Sequence, residues 1–307
     1  MQKHPSRDIG MIIHNSQFTI QKKAMQKIDH TQPQYKTMPT QEDLAQLERR
    51  LQFHPSTVTN PQVLTGADIE AYNRDGYVKG FRVFEPAEMG EHRAHLDKIL
   101  AETLAAGGTS YSISSAHVKY GPVWDLITHP RIVAYVKDIL GEDVVGWGAH
   151  YFCKLPHDGK IVSWHQDASF WPLTPSKTVT VWLAIDDADT DNACMRFVAG
   201  SHRLGHLTYR MSENDEGSVL NQTVEGAEAF GDVIYDELKA GEISLHSDLL
   251  LHGSLANQSD RRRCGLTLRY ASTDVGSDPK FGWQREGVLV GGSDPNSHWT
   301  DLPRPQR

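Results

Sequence analysis

A mainly β fold, a barrel or sandwich of short strands flanked by helices, is the class this sequence predicts. From about Asp143 onward, strand patterns dominate over Val144 to Leu155, Thr178 to Ile185, Met195 to Val198, Glu242 to Leu245, Leu249 to Leu251 and Arg263 to Ser272. Polar turns rich in Asp, Gly, Asn and Pro separate them, a spacing that suits an all-β barrel rather than βαβ units. Helical patterns precede the strands instead of alternating with them, so the helices are expected to flank the barrel.

The elements follow in order. Residues 1–64 are rich in Gln, Lys, His, Thr and Pro with weak apolar periodicity, which predicts a poorly packed arm with one helix over Gln41 to Gln52. A lid or a subunit contact is the alternative role for that arm, and it leaves a homo-oligomer open. Order is expected from Thr65, where Thr65 and Asp68 form a capping-box pattern opening a helix that ends near Gly76. Tyr77 to Phe84 alternates as a strand. Pro86 suits the first turn of a helix running to about Ala105, with Ile99, Leu100 and Leu104 on its buried face. A further helix is expected from Pro130 to Leu140, closed by Gly141. The strands then occupy the rest of a domain spanning 65–275, followed by a C-terminal extension over 276–307.

Composition narrows the function. The 307 residues suit one large domain with extensions, and 38% apolar residues can form a sizeable core. A formal net charge of −8 argues against nucleic acid or an anionic membrane as partner. No stretch approaches the roughly 20 apolar residues that span a bilayer, and the opening residues lack a signal-type apolar run. Cys153, Cys194 and Cys264 are far apart, with no CxxC pair, so neither a disulfide framework nor a thiolate zinc site is expected and a cytoplasmic setting is the default.

The most informative segment is Ser163-Trp164-His165-Gln166-Asp167. On an extended chain, side chains two apart share a face, so His165 and Asp167 can reach one ion together. A third ligand is offered by His252 in Leu249-Leu250-Leu251-His252-Gly253-Ser254, where an apolar run meets a histidine followed by glycine. Two imidazoles and one carboxylate with open positions suit a non-haem iron(II) oxygenase. Each motif alone is common by chance. The basic run eleven residues past His252 adds to them, because Arg263 opens the last apolar strand and arginine can grip a carboxylate with two parallel hydrogen bonds.

His165-Gln166-Asp167, then Thr180-Val181-Trp182-Leu183-Ala184, Phe197-Val198-Ala199-Gly200-Ser201-His202, His252-Gly253-Ser254 and Arg263 follow one family's order and spacing. Over residues 65 to 275 the chain resembles the phytanoyl-CoA dioxygenase superfamily, which includes ectoine hydroxylase. The resemblance implies a double-stranded β-helix, a cupin-like jelly roll, with iron(II) held by His165, Asp167 and His252. It implies 2-oxoglutarate held by Arg263 and Ser254, with Trp182 lining that pocket and Lys154 at the position of a co-substrate lysine, and dioxygen as the oxidant. Candidate substrate contacts are His150, Phe152, Gln166, Ser169, Phe170 and Arg269, and the stretch Tyr111 to His117 is a candidate substrate loop. Halogenating relatives replace the carboxylate of H-x-D by Ala or Gly. This chain keeps Asp167, which favours hydroxylation.

The expected activity is therefore hydroxylation of a small, polar, amino-acid-like or aminophosphonate-like molecule, with release of succinate and carbon dioxide. An acyl-CoA or natural-product substrate, desaturation or bond cleavage on the same iron, and a non-catalytic jelly-roll binding protein are the alternatives. The acidic balance lends no support to a CoA-binding patch.

Overall fold

The computed structural model describes residues 41–277 and 286–307; most of the expected N-terminal arm, residues 1–40, lies outside the described residues. The helices are α1 (Gln41–Ala45), α2 (Gly66–Asp75), α3 (Pro86–Ala105), α4 (Gly121–Ile127) and α5 (Pro130–Leu140). The long strands of the main sheet are β1 (Tyr77–Arg82), β2 (Val144–Lys154), β5 (Thr178–Ala184), β10 (Glu242–Ser247) and β12 (Arg263–Ser272). A smaller sheet is built from β3 (Val162–His165), β6 (Met195–Val198), β9 (Val233–Asp236) and β11 (His252–Ser254). Short pairs complete the set: β4 (Leu173–Thr174) with β13 (Gly276–Ser277), and β7 (Arg210–Met211) with β8 (Gln222–Thr223). Finally β14 (Glu286–Gly291) and β15 (Thr300–Asp301) extend the main sheet.

The main sheet runs in the order β1-β10-β5-β12-β2-β14-β15 and the smaller one β3-β11-β6-β9. This is the double-stranded β-helix that the sequence suggests. The two sheets face each other across a cavity lined by Trp182, His246 and Thr267 from one and by His165, Met195 and His252 from the other.

Strand parity divides the main sheet into two surfaces. Ala149, Tyr151 and Cys153 of β2, Val179, Val181 and Leu183 of β5, Ile243 and Leu245 of β10, and Leu266, Leu268 and Tyr270 of β12 join one apolar core. Met89, Leu96 and Ile99 of α3 and Ile132 and Val136 of α5 belong to the same core, so the helices cover the outer face. The alternate residues turn toward the cavity. They include Phe152, Trp182, His246, Arg263, Thr267 and Arg269, and at these positions the strands carry polar or aromatic side chains where an ordinary core would carry aliphatic ones.

Local signals set the helix limits. Thr65 Oγ1 accepts from the Asp68 backbone at 3.1 Å and Asp68 Oδ2 accepts from the Thr65 backbone at 2.8 Å, closing the capping box on α2. Gly76 ends that helix at φ 86, in the left-handed region. The structure departs from the expected elements in four places. Leu249 to Leu251 form a turn rather than a strand, because Ser247 accepts from Leu250 N at 3.0 Å and from Leu249 N at 3.2 Å. All three leucines are nonetheless buried, which is why their pattern reads as a strand. Leu104 is 43% exposed. The N-terminal helix stops at Ala45. Helix α4, with Pro122 in its first turn, gave no clear periodic signal.

Residues 41–64 are not loosely packed. Arg49 Nη1 donates to the carbonyls of Ala168 at 2.7 Å and Trp171 at 2.8 Å, beside the H-x-D motif. Phe53 meets His202 edge-on at 4.3 Å. Asp138, buried on α5, accepts from the backbone N–H groups of Gln62 at 2.7 Å, Val63 at 2.8 Å and Leu64 at 2.8 Å. The C-terminal extension is likewise tied down, by β14 against β2 and by Trp299 Nε1 donating to Val275 O at 3.0 Å. Asp138→Ala leaves three backbone donors without their acceptor and should cost about 2–4 kcal/mol. Urea unfolding followed by circular dichroism reads that loss as a lower midpoint.

Candidate functional site

The smaller sheet brings the two candidate ligand histidines together. His252 opens β11 and His165 ends β3, and the two are direct partners in the antiparallel ladder. Their rings lie 4.0 Å apart, centroid to centroid. Each ring is fixed through its own strand: His165 Nδ1 bonds to Ser163 O at 2.8 Å, and His252 Nδ1 bonds to Leu250 O at 2.9 Å. A carbonyl can only accept, so both Nδ1 atoms carry hydrogen and both Nε2 lone pairs point free of the strands. Gly253 lets the strands approach this closely, since a Cβ there would lie 2.7 Å from Val162 O.

Asp167 follows β3 at the start of a 3-10 turn spanning Asp167–Ser169. Its Oδ1 lies 3.7 Å from His165 Nε2 and 3.9 Å from His252 Nε2. One ligand atom from each of the three residues falls within 4.8 Å of the others, and all three are buried. Burial opposes a charge on Asp167, but the close His165 and the permanent charge of Arg269 outweigh it and hold the carboxyl well below its usual range. Burial, followed by repulsion from His165, keeps His252 neutral. An ionised carboxylate beside neutral imidazole nitrogens is the donor set for a divalent transition metal, so the residues fit iron(II).

Two cavity residues that sequence reasoning missed support this group. Thr180 Oγ1 donates to Asp167 Oδ2 at 3.1 Å, fixing the carboxylate from the main sheet. Its parity with Trp182 was the signal that could have found it. His246 packs on His252 at 4.7 Å, and its Nε2 lies 3.9 Å from Asp167 Oδ2.

Arg263 opens β12 and is buried. Its Nε donates to Ala193 O at 3.0 Å, one Nη to Phe152 O at 3.4 Å and the other to Ser254 Oγ at 3.1 Å. A guanidinium has five N–H donors, so two remain for an incoming anion. Trp182 lies below this group, and Gly265 makes room for it: a Cβ there would come within 2.0 Å of the indole. Lys154 stands opposite Arg263 in the β2–β12 ladder, fully buried, with Nζ donating to Lys160 O at 2.5 Å. Burial first, and Arg263 second, pull its amine down to about 7.

Of the other sequence candidates, Phe152 and Arg269 line the cavity with the triad. His150 shares their strand face and stacks on Phe152 at 4.3 Å. Phe170 meets the His165 ring edge-on at 5.8 Å. Gln166 and Ser169 are corrected to framework roles. The Gln166 amide donates to Gly205 O at 2.9 Å and Leu249 O at 2.6 Å and accepts from Leu207 N at 2.7 Å, which leaves it no N–H for a substrate. The Ser169 hydroxyl is paired with His206 Nε2 at 2.9 Å.

A family model described as phytanoyl-CoA dioxygenase (PhyH) matches residues 72–265. A phytanoyl-CoA dioxygenase domain-containing protein 1 from Bos taurus is 33% identical over 152 residues, 48% of this chain and 52% of that protein. A protein from Stutzerimonas stutzeri described as a probable alpha-ketoglutarate-dependent hypophosphite dioxygenase is 28% identical over 173 residues, 53% of this chain and 57% of its own length. The chain thus spans about half the length of the curated relatives it matches. Among solved structures, the apo form of the non-heme monooxygenase ThoJ superposes with a TM-score of 0.64 at 25% identity, covering 77% of this chain and 88% of that one. EctD from S. alaskensis, solved with 2-oxoglutarate and 5-hydroxyectoine, shares the fold with a TM-score of 0.62 at 17% identity, covering 75% of this chain and 85% of that one. No helix among the described residues is long and apolar enough to cross a membrane.

Removing a group that orients a metal ligand typically weakens the metal by about 10–100-fold. Thr180→Val keeps shape but loses the bond to Asp167, so cobalt(II) titration should show weakening in that range with an unchanged unfolding midpoint.

Proposed function

Because this chain belongs to the phytanoyl-CoA dioxygenase family, we propose that it is an iron(II)- and 2-oxoglutarate-dependent dioxygenase that hydroxylates an unactivated C–H bond of a small polar metabolite, releasing succinate and carbon dioxide. The observation that carries this reading is the buried convergence of His165, Asp167 and His252 in one cavity with Arg263. An amino-acid-like or aminophosphonate-like substrate fits the cavity's size and its cationic lining better than an acyl-CoA. The hypophosphite dioxygenase among the relatives has a small oxyanion in its printed name, in keeping with that preference.

Iron bound by the triad would supply the activation of dioxygen and of the substrate C–H bond. The chain's own residues supply position and environment. Ser163 O and Leu250 O fix the imidazole tautomers. Thr180 holds Asp167. Arg263, with Ser254 beside it, is the anchor for the far carboxylate of 2-oxoglutarate, and Lys154 adds a second donor on the same face. Trp182, Phe152 and Met195 give the cavity apolar walls that limit water around the reacting atoms. Retention of Asp167 leaves no vacant ligand position of the kind a halide needs, which favours hydroxylation.

His165→Ala should abolish iron-dependent conversion of 2-oxoglutarate to succinate, measured by mass spectrometry with and without a metabolite panel; undiminished turnover would refute the assignment. Lys154 gives a pH signature. Its amine titrates near 7 in the free protein, and an arriving carboxylate favours the protonated form and raises that value. Affinity for 2-oxoglutarate should therefore be full below about 7 and fall as pH rises above it, by up to about tenfold per unit until the bound-state value is reached. Lys154→Met should flatten the profile in a calorimetric titration.

A further inference from the structure

Arg269 carries a charge that no hydrogen bond or close ion pair completes; Asp167 acts on it only at a distance. Among the described residues its guanidinium makes no hydrogen bond or ion pair, and its Nε is buried without a partner. It lines the same cavity as the triad and keeps some accessible surface there. A cation held away from bulk water without an acceptor is costly, and a fold keeps one where a ligand completes it.

The surroundings hold the side chain in place without satisfying it. The guanidinium carbon lies 5.2 Å from the Trp171 ring and 5.9 Å from the Trp147 ring, and the two indoles meet edge-on at 4.7 Å. Trp147 reaches this position through a β-bulge: Arg269 pairs with Gly148 and Tyr270 with Gly146, so Trp147 is the extra residue between them. Gly148 leaves room for the arginine stem, because a Cβ there would lie 3.2 Å from Arg269 Cδ. In the ladder to β5, Arg269 stands opposite Thr180, the residue bonded to Asp167. Two more polar groups nearby lack partners: both ring nitrogens of His117, and Nε2 of His150. Burial, then the field of Arg269, keeps these imidazoles neutral, at about 4 and about 3. His117 therefore keeps one N–H to donate, whereas the N–H of His150 goes to the Tyr111 backbone. Along β12, Arg263 and Arg269 share a face six residues apart, about 20 Å at the usual rise per residue. The cavity therefore has a cation at each end of one strand, and the metal ligands lie across from them.

We propose that Arg269 is the anchor for an oxyanion carried by the substrate, a carboxylate, phosphonate or sulfonate, with His117 as an auxiliary donor. This rests on the functional reading above and deepens it: Arg263 takes the co-substrate anion at one end of the trough and Arg269 takes the substrate anion at the other. The register with Thr180 puts the bound anion beside Asp167, so the carbon presented to the metal lies within a few bonds of the charged group. Arg269 is a specificity-determining residue, and the pair of indoles sets its direction.

The test uses full-length protein loaded with zinc(II), which binds the same donor set without redox turnover, and saturating 2-oxoglutarate to block Arg263. Methylphosphonate, methanesulfonate and acetate are titrated separately, with neutral dimethyl sulfone as control, and tryptophan fluorescence and thermal unfolding are read. At least one anion should give a saturable change in both signals and dimethyl sulfone none; the strongest of the three identifies the headgroup. Losing a charge-assisted contact corresponds to about tenfold or more in affinity, so Arg269→Gln should weaken the anion by that factor while 2-oxoglutarate binding changes by less than about threefold. Arg269→Gln should also unfold at an equal or higher temperature without ligand, since it removes an uncompensated charge; a purely structural arginine would lower it. If that variant does not fold, Arg269→Lys carries the test, with several-fold weaker binding expected from the lost planar fork. Anion binding unchanged by either substitution, or no anion response in protein that binds zinc and 2-oxoglutarate, overturns the proposal. Failure to bind zinc and 2-oxoglutarate would instead count against the functional reading, and an anion response lost in Arg269→Gln would still support this one.

Discussion

The register between β3 and β11 is the constraint on which the site depends. It makes His165 and His252 cross-strand neighbours, and the hydrogen bond from each Nδ1 to a carbonyl two residues earlier on its own chain turns both Nε2 atoms the same way. A slip of one residue would send one imidazole to the opposite face of the sheet, because strand side chains alternate. Gly253 permits the pairing by leaving out a Cβ that would strike the Val162 carbonyl. Asp167 needs no strand of its own. It follows His165 by two residues and is held from across the barrel by Thr180.

The main sheet does the complementary work. One face is aliphatic and packs on α3 and α5, which makes the wall rigid. The other face carries a set of groups that an ordinary core would reject: His246, Arg263, Arg269 and the indole of Trp182. Such groups lower stability unless they are bonded or completed by a ligand. Arg263 is partly satisfied by two carbonyls and the Ser254 hydroxyl, whereas Arg269 rests only against two tryptophans. That difference in satisfaction fits the proposed division of labour, with Arg263 for the co-substrate and Arg269 for the substrate.

Much of this was legible in the sequence, for identifiable reasons. The limits of α3 and α5 follow from Pro86 and Pro130 at one end and the loss of pattern or a glycine at the other. The convergence of His165, Asp167 and His252 was legible because H-x-D and HGS are short-range patterns and Arg263 lies close behind them. Residues whose role depends on a distant strand were not. Nothing local distinguishes Thr180 from any strand threonine until β5 is set beside Asp167, and nothing marks Gly265 until Trp182 lies over it. His117 depends on a turn packing against β2, and Trp147 on a bulge that no periodicity rule reports. Gln166 misled in the opposite direction. It sits between two ligands, yet its amide braces the backbone around Gly205, Leu207 and Leu249. The stretch from Arg49 to Leu64 looks like a polar arm because its anchors are its own backbone N–H groups bonded to Asp138 and one guanidinium bonded to the Ala168 and Trp171 carbonyls, all on other elements.

The central claim is that one ferrous ion is held between two imidazoles and a carboxylate inside the barrel. Crystals grown without oxygen, with iron(II) and 2-oxoglutarate, would test it by anomalous diffraction at the iron edge. A single strong peak is expected among His165 Nε2, Asp167 Oδ1 and His252 Nε2, with 2-oxoglutarate density running from it toward Arg263. An iron peak elsewhere in the chain, or fully occupied 2-oxoglutarate with no iron among these three side chains, would contradict it.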